Sequence, residues 1–405
     1  MVGANFHGSG KSYYSFAHTL PASHVVDWTC QVRVLGDGTN ARDHTSQMAT
    51  VSYSGFLSIS SCRLPGAAAT AILATESRAG GLSGGAAAEY PVEVLEVSLA
   101  SPTWQPEPLR ICVGPSPRKR RLSACTTTLH SAGYVHKVMP HAIEDWLNYH
   151  LLIGVEHFYI FDTDGSYEPY LREYVSRGLV SYVPRFPWQV SPKLGKLSAG
   201  LRDRKEHRSV LMEPHALDVC VWQNRQVSDW VVVIHSFEEF LHSEKLVRAK
   251  GRFSLGESLA QWASEMPKTA IFEFFQEPMG GTRPRRSRSA LSAWTYKRGL
   301  ELSGSLMDTV EGSHAHFQPF AWIVDPLNAP QTAVHFAQAR ADGHVVVVLP
   351  RDLLRMNHYV DFGSNASRCL EELGGCLVRD DGITWAEDAV VRMRARERAA
   401  SAQRA

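Results

Sequence analysis

Glu144-Asp145-Trp146-Leu147-Asn148-Tyr149-His150, and four residues later Gly154-Val155-Glu156-His157-Phe158-Tyr159-Ile160-Phe161-Asp162-Thr163-Asp164-Gly165-Ser166, is the stretch whose reading decides the fold. Ile143, Trp146, Leu147, His150 and Leu151 recur at three- and four-residue spacing and so share one helical face. Pro140 sits where a first-turn proline is tolerated, and Gly154 stops the helix. Residues 155–161 are nearly all apolar, as suits a parallel strand covered on both faces. The turn Asp162-Thr163-Asp164-Gly165 then falls at the carboxyl end of that strand, the edge where open α/β sheets bind ligands. Two aspartates beside a glycine that lets the backbone approach suit a ribose, a diphosphate or a metal ion.

Outward from this segment the same texture continues. A helix over residues 168–177 ends at Gly178 and leads into a strand over 179–183, a βαβ unit whose crossover should be right-handed. Pro214 is read as opening a further helix with Leu217, Cys220 and Val221. Residues 230–234 form a central strand, and 270–275 a later one followed by a loop with Gly280 and Gly281. Upstream, residues 21–113 alternate short β runs with Gly/Ala/Ser-rich stretches, and 115–123 read as a linker. The expected organisation is therefore a disordered N-terminus over 1–20, a β-rich, sandwich-like accessory domain over 21–113, an α/β domain over 122–386, and an exposed charged helix or frayed tail over 387–405.

Composition narrows the function classes. With 42 basic and 41 acidic residues the net charge is +1, so no global field recruits nucleic acid or an anionic membrane. The basic runs over 118–121 and 283–288 read as solvated loops. No apolar run approaches the roughly 18 residues of a membrane span, so no transmembrane segment is expected. The first 20 residues lack the apolar centre of a signal peptide. Seven cysteines contain no Cys-x-x-Cys pair, which argues against zinc. Cys30 with Cys62, or Cys369 with Cys376, is able to bridge in an oxidising lumen, and buried free thiols are the alternative. Asn365-Ala366-Ser367 is a glycosylation sequon only if the chain is secreted. Gly8-Ser9-Gly10-Lys11-Ser12 lacks the first P-loop glycine, which is Asn5 here, and no strand precedes it. No Gly-x-Ser-x-Gly elbow or His-Glu-x-x-His helix is present, which lowers hydrolase and metalloprotease readings.

The segment 144–166 resembles the start of the nucleotide-binding half of glycosyltransferase family 92, where a Glu-Trp…Tyr-His helix precedes Gly-Val…Phe-Tyr-Ile-Tyr-Asp…Ser. Further on, Trp230 to Ile234 leads into Ser236-Phe237-Glu238-Glu239-Phe240, where the family pattern has Asp-x-Asp-Glu-Phe. Ser236 thus replaces the first aspartate and Glu238 the second. Trp294 to Arg298, Val334-His335-Phe336 and Asn357-His358-Tyr359 keep the family order more loosely. The resemblance implies a GT-A-like fold, a mostly parallel central sheet flanked by helices. It implies an inverting transfer of a hexose, galactose among the options, from a UDP-sugar donor to a glycan acceptor.

It also implies site residues. Asp162, Asp164 and Ser236 would bind the nucleotide, and Glu238, His358 and His335 a divalent metal, manganese or magnesium. Glu239, kept from the family pattern, would serve catalysis; inversion implies a carboxylate general base, for which Glu277, ahead of the Gly280-Gly281 loop, is the candidate. Hard cations prefer carboxylate oxygen and act as Lewis acids on a departing phosphate. The competing expectation is a non-catalytic nucleotide- or carbohydrate-binding protein with a degenerate metal motif. Family members are usually anchored in Golgi membranes, so the compartment stays open for this chain.

Overall fold

The computed structural model describes residues 29–34, 42–48, 50–54, 57–61, 92–100, 109–113, 119–186, 208–225, 227–280, 288–293, 296–297, 320–329, 331–333, 336–338, 343–359, 378–380 and 382–404. The chain divides into two compact units, Met1–Arg118 and Lys119–Ala405.

In the first unit the strands β1 (Thr29–Val34), β2 (Arg42–Met48), β5 (Val92–Ala100) and β6 (Leu109–Val113) form an antiparallel sheet in the order β2-β1-β5-β6. The strands β3 (Thr50–Ser54) and β4 (Leu57–Ser61) pair as a separate hairpin. Arg33 and Glu96, opposite each other in the β1/β5 register, form an ion pair at 3.1 Å.

The second unit is a mixed α/β structure. Its elements run β7 (Arg120–Leu129), α1 (Ala132–Val138), α2 (Ala142–Leu152), β8 (His157–Asp162), α3 (Glu168–Ser176), β9 (Val180–Val183), α4 (Arg208–Asn224), β10 (Ser228–Ile234) and β11 (Glu239–His242). They continue with α5 (Glu244–Lys250), α6 (Leu255–Glu265), β12 (Thr269–Gly280), β13 (Tyr296–Lys297), β14 (Phe320–Val324), β15 (Gln331–Ala333), β16 (Phe336–Gln338), β17 (Val345–Val348), β18 (Arg355–His358), β19 (Val378–Arg379) and α7 (Glu387–Arg404). The main sheet has the order β11-β18-β12-β14-β10-β7-β8-β9, with β17 beside the first half of β12. β9, β8, β7 and β10 are mutually parallel, β14 is antiparallel to both β10 and β12, and β11 is antiparallel to β18. One helical layer packs its core on Leu122, Ala124, Ile160, Val232 and Phe272, while α4 covers the other face through Cys125, Val231, Val233 and Ile271.

Two turns carry the α2 segment. Gly154, at φ +103°, accepts a backbone twist costly to other residues, and a Cβ there would meet the Gly256 amide at 3.2 Å. That closeness lets the Ile153 carbonyl accept from Leu255 N at 2.7 Å and so cap α6. Pro140 lies in the turn before α2 rather than within its first turn, because His141 takes a left-handed φ of 76° as the N-cap. Pro214 sits inside α4, which begins a turn and a half earlier at Arg208. β12 runs five residues past the expected 275 and carries Glu277 on the strand itself.

Two further expectations change. Cys125 on β7 and Cys220 on α4 form a disulfide across 95 residues, with Cα atoms 6.1 Å apart. Of the pairings read from sequence, Cys62, Cys369, Cys376 and the Cys30 side chain lie outside the described residues. The C-terminal helix α7 is docked rather than exposed. Arg394 forms a buried ion pair with Asp145 of α2 and donates to the Arg288 carbonyl at 2.8 Å. Glu397 accepts from Tyr174 Oη at 2.6 Å, Asn148 Nδ2 at 3.0 Å and Arg177 at 2.8 Å.

Removing one partner of a buried pair strands a charge that water cannot reach. Arg394→Ala should therefore lower unfolding free energy by about 3–5 kcal/mol in urea titration, whereas Arg394→Ala with Asp145→Leu should recover most of that loss. Equal losses in the single and double variants would show that the pair itself is not the source.

Candidate functional site

The site follows from the topology. Moving out from β7, the chain places β8 and β9 on one side and β10 on the other. The strand order reverses between β7 and β10, and the edge outside the carboxyl ends at such a switch point is where open α/β sheets bind ligands. Thr127 Oγ1, near the end of β7, ties this edge together by donating to the His235 carbonyl just past β10, at 2.8 Å.

Beyond β10 the chain turns through His235-Ser236-Phe237-Glu238 and re-enters as β11. Glu238 N donates to Ser236 Oγ at 3.4 Å, a weak Asx-like turn closure that a serine hydroxyl supplies in place of a carboxylate. Phe237 is buried and packs edge-on against Trp146, with ring centroids 5.0 Å apart, which anchors the turn to α2. Pairing of β11 with β18 sets Glu239 opposite His358, and Tyr359 N donates to the Glu238 carbonyl at 2.9 Å. As a result His358 Nε2 lies 3.0 Å from Glu238 Oε1 and 4.0 Å from Glu239 Oε1.

The two glutamates have different surroundings. Glu239 is fully buried, and its carboxylate accepts from the His235 amide at 2.6 Å, from His235 Nδ1 at 2.8 Å and from Gln276 Nε2. Burial alone would raise its pKa, but the His235 and His358 charges and the His235 bonds outweigh that and hold it below the ordinary value. His358 is the mirror case. Burial would lower its pKa, yet the bond to Glu238 and the charges of Glu239 and Glu238 raise it. Glu238 and His358 keep 22% and 25% of their side-chain surface exposed, so both are open to a ligand.

Among the described residues, no group of three or more His, Cys, Asp or Glu side chains is arranged to hold a metal ion. Glu238 and His358 nevertheless supply one hard oxygen and one imidazole nitrogen side by side. That pair would fit a cation of the magnesium or manganese kind, which is commonly held by one or two protein ligands rather than by a protein cage. His335 lies outside the described residues, as do residues 283–287 of the second basic run. Arg288 pairs with Asp388 at 3.0 Å on α7.

Asp162 is not a surface residue. It is fully buried and accepts four bonds: Asp164 N at 3.1 Å and Gly165 N at 3.0 Å on Oδ1, Tyr167 N at 2.9 Å and Tyr182 Oη at 2.6 Å on Oδ2. Asp164 is exposed and accepts from Ser131 N at 2.9 Å and Ser166 N at 3.0 Å, joining the ends of β7 and β8. Its burial works against ionisation, but the bonds from Ser166 and Ser131 hold its pKa at about 2. Glu277 is not brought to this group. Gln276, its neighbour on β12, reaches Glu239, so by strand alternation Glu277 faces the other side of the sheet, where Arg351 lies 3.5 Å away. Gln276 itself had no sequence signal. Its role depends on the β12/β18 register, which a single chain of letters does not display.

The helix that carries the family-like letters supports this site from behind. Trp146 Nε1 donates to the Glu239 carbonyl at 2.7 Å and Tyr149 Oη to the Leu241 carbonyl at 2.5 Å. His150, fully buried, donates Nδ1–H to the Trp146 carbonyl at 2.9 Å and stacks on Phe240, while its Nε2 has no hydrogen-bond partner.

Residues 121–251, from the start of β7 to just past α5, match the family model for Glycosyltransferase family 92. No curated protein matches the chain.

These contacts make His150 one source of acid sensitivity in the domain. Desolvation lowers the His150 pKa from 6.5 to about 3, against the raising effects of the Trp146 carbonyl and Glu239. The unfolded chain therefore takes up a proton below pH 6.5 that the folded chain refuses until about pH 3. The contribution of His150 to stability should be full above pH 6.5 and fall by up to about 1.4 kcal/mol per pH unit below it. His150→Phe should make the acid limb shallower in urea unfolding at pH 7, 6 and 5, with His157, lowered to about 4 by burial, supplying the part that remains; an unchanged slope would exclude His150 as a source. Asp162→Ala leaves buried donors unmatched and should cost roughly 2–4 kcal/mol. A melting temperature equal to that of the parent protein would contradict the four-bond arrangement.

Proposed function

We propose that this chain, a member of glycosyltransferase family 92 through residues 121–251, is an active hexosyltransferase that uses a UDP-sugar donor and a glycan acceptor and inverts the anomeric carbon. Glycosyltransferase activity in general accompanies the family. The donor, the sugar and the stereochemistry are our reading. The observation that carries it is the pair Glu238–His358, 3.0 Å apart and open to a ligand, beside the switch-point edge where α/β sheets bind nucleotides.

In this reading the donor diphosphate lies over the carboxyl end of β10. Glu238 and His358 would hold a divalent cation, which would offset the charge that builds on the leaving diphosphate. The Ser236 hydroxyl turns towards the nucleotide. Glu239 acts from beneath, fixing His235 and Gln276 so that the turn keeps its shape as charge moves above it. Asp164 contributes an ionised carboxylate to the nucleoside side of that edge. Asp162 shapes the turn on which Asp164 stands. Glu277 faces Arg351 on the other side of the sheet from Glu238 and His358, so it is not the acceptor base in this reading.

One observation favours a second reading, a nucleotide- or carbohydrate-binding protein without turnover. Ser236 stands where the family pattern has an aspartate, which removes one charge from the cation site.

The deciding experiment is donor hydrolysis across a panel of nucleotide sugars, with and without Mn²⁺. An active enzyme should hydrolyse one donor in a metal-dependent way. Glu238→Ala should reduce turnover by at least about 100-fold, the loss typical of removing one group that stabilises transition-state charge. Ser236→Asp should tighten Mn²⁺-dependent UDP binding, since it restores a charged oxygen ligand. Metal-independent UDP binding with no hydrolysis of any donor would establish the binding-protein reading instead.

A further inference from the structure

Asp162 organises more than its own turn. Its main-chain carbonyl accepts from Phe186 N at 2.7 Å, and its carboxylate accepts from Tyr182 on β9 at 2.6 Å. The segment that leaves β9 is thereby tied to the turn that leaves β8. Between these ties sits Arg185, with a left-handed φ of 55°. For a residue with a bulky side chain that conformation is uncommon and carries strain, which such sites retain when the surroundings enforce it. Phe186, packed on Phe161 with centroids 4.9 Å apart, and the Asp162 carbonyl supply that enforcement.

The left-handed backbone sets the direction in which the Arg185 side chain leaves the chain. The Arg185 side chain runs across Gly165, where an added Cβ would meet its Cγ and Nε at 3.7 Å. Arg185 is exposed, and among the described residues it forms no ion pair. Asp164, one residue before Gly165, is exposed too, and its carboxylate is fixed by Ser131 and Ser166. A rigidly placed acceptor and a planar, permanently charged donor thus flank one glycine at the carboxyl edge of the sheet. From β9 to β10 there are three strand spacings, roughly 14 Å at about 4.8 Å each. That distance separates Arg185 from the strand that leads to Glu238 and corresponds to the far end of a nucleoside diphosphate whose phosphates lie at Glu238.

We infer that Arg185 and Asp164 together read the nucleobase of the donor, Arg185 donating to a ring carbonyl and Asp164 accepting from the adjacent ring N–H. This rests on the reading of the donor as a nucleotide sugar. Uracil presents a carbonyl beside an N–H on one edge and matches the pair. Cytosine presents an amino group beside a bare ring nitrogen and would set donor against donor and acceptor against acceptor.

The test is calorimetric binding of UDP, CDP and inorganic pyrophosphate to the full chain, with Mn²⁺ present. Arg185→Asn is the informative variant, because asparagine tolerates the left-handed backbone while removing the cation. Its melting temperature should equal that of the parent protein. The parent should prefer UDP to CDP, and Arg185→Asn should weaken UDP binding by roughly tenfold or more, as for loss of a charged hydrogen bond. CDP and pyrophosphate binding should change little, so the UDP preference collapses. Arg185→Lys keeps the charge without the planar fork and should recover only part of it. If folded Arg185→Asn retains the parent's UDP affinity and preference, the inference is overturned while the transferase reading stands. If the parent protein binds UDP and CDP equally, the base is not read and the inference likewise fails alone. If the parent binds no nucleotide, both readings fail.

Discussion

Two hydrogen bonds from one helix to one edge strand hold the rest of the site in place. β11 ends the sheet, and alternate carbonyls of an end strand have no neighbouring strand to accept from. Trp146 and Tyr149, three residues apart on α2, donate to the Glu239 and Leu241 carbonyls, which are two residues apart on β11. The helical spacing and the strand spacing coincide, so one helix face satisfies one strand edge. A buried carbonyl left without a donor costs free energy comparable to a lost hydrogen bond. The register of β11 against α2 is accordingly tight, and with it the register of β11 against β18, which puts His358 beside Glu238 and Glu239.

This explains which parts of the fold were legible in the sequence. The α2–β8 segment announces itself because its packing is apolar and periodic, and the β10 strand because Trp230 to Ile234 is a continuous apolar run. The resemblance to glycosyltransferase family 92 rested on Trp146, Tyr149 and His150 as letters, and the structure gives those letters a physical task in seating β11. By contrast α7 has few apolar residues and reads as a solvated helix. It docks through Arg394, Glu397 and Arg398, at three- and four-residue spacing, onto Asp145, Asn148 and Glu144 of α2. Charge complementarity between segments some 250 residues apart in sequence leaves no local pattern. The Cys125–Cys220 bridge was hidden for the same reason, since its two ends come together only when α4 lies on β7.

The site was half legible. Glu238 and His358 were paired through the resemblance, and the structure brings those two side chains together. Asp162 and Asp164 looked equivalent as a pair of acidic letters, but the fold divides their labour. The one at the strand end turns inward and commits its oxygens to four donors, while the one two residues later remains exposed. Strand alternation likewise separates Gln276 from Glu277, neighbours that face opposite sides. Arg185 was invisible because its placement depends on a backbone angle and on a hydrogen bond to the Asp162 carbonyl, neither of which is written in residue type.

Ser236 bears on all of this through charge. With an aspartate at that position the turn beyond β10 would hold three carboxylates against His235 and His358. With serine it holds two, Glu238 and Glu239, and Glu239 is fully buried and matched by His235 and Gln276. The serine hydroxyl still accepts from the Glu238 amide, so the turn survives while its charge falls. A less negative turn would attract a divalent cation less strongly and repel a diphosphate less strongly, so the two effects would oppose each other. The bond to Glu238 and the charges of Glu239 and Glu238 raise the affinity of His358 for its proton, and a protonated imidazole, which has no lone pair left for a metal, makes the turn less negative still. The protonation of His358 beside Glu238, rather than the bare count of aspartates, therefore sets the charge that this turn presents.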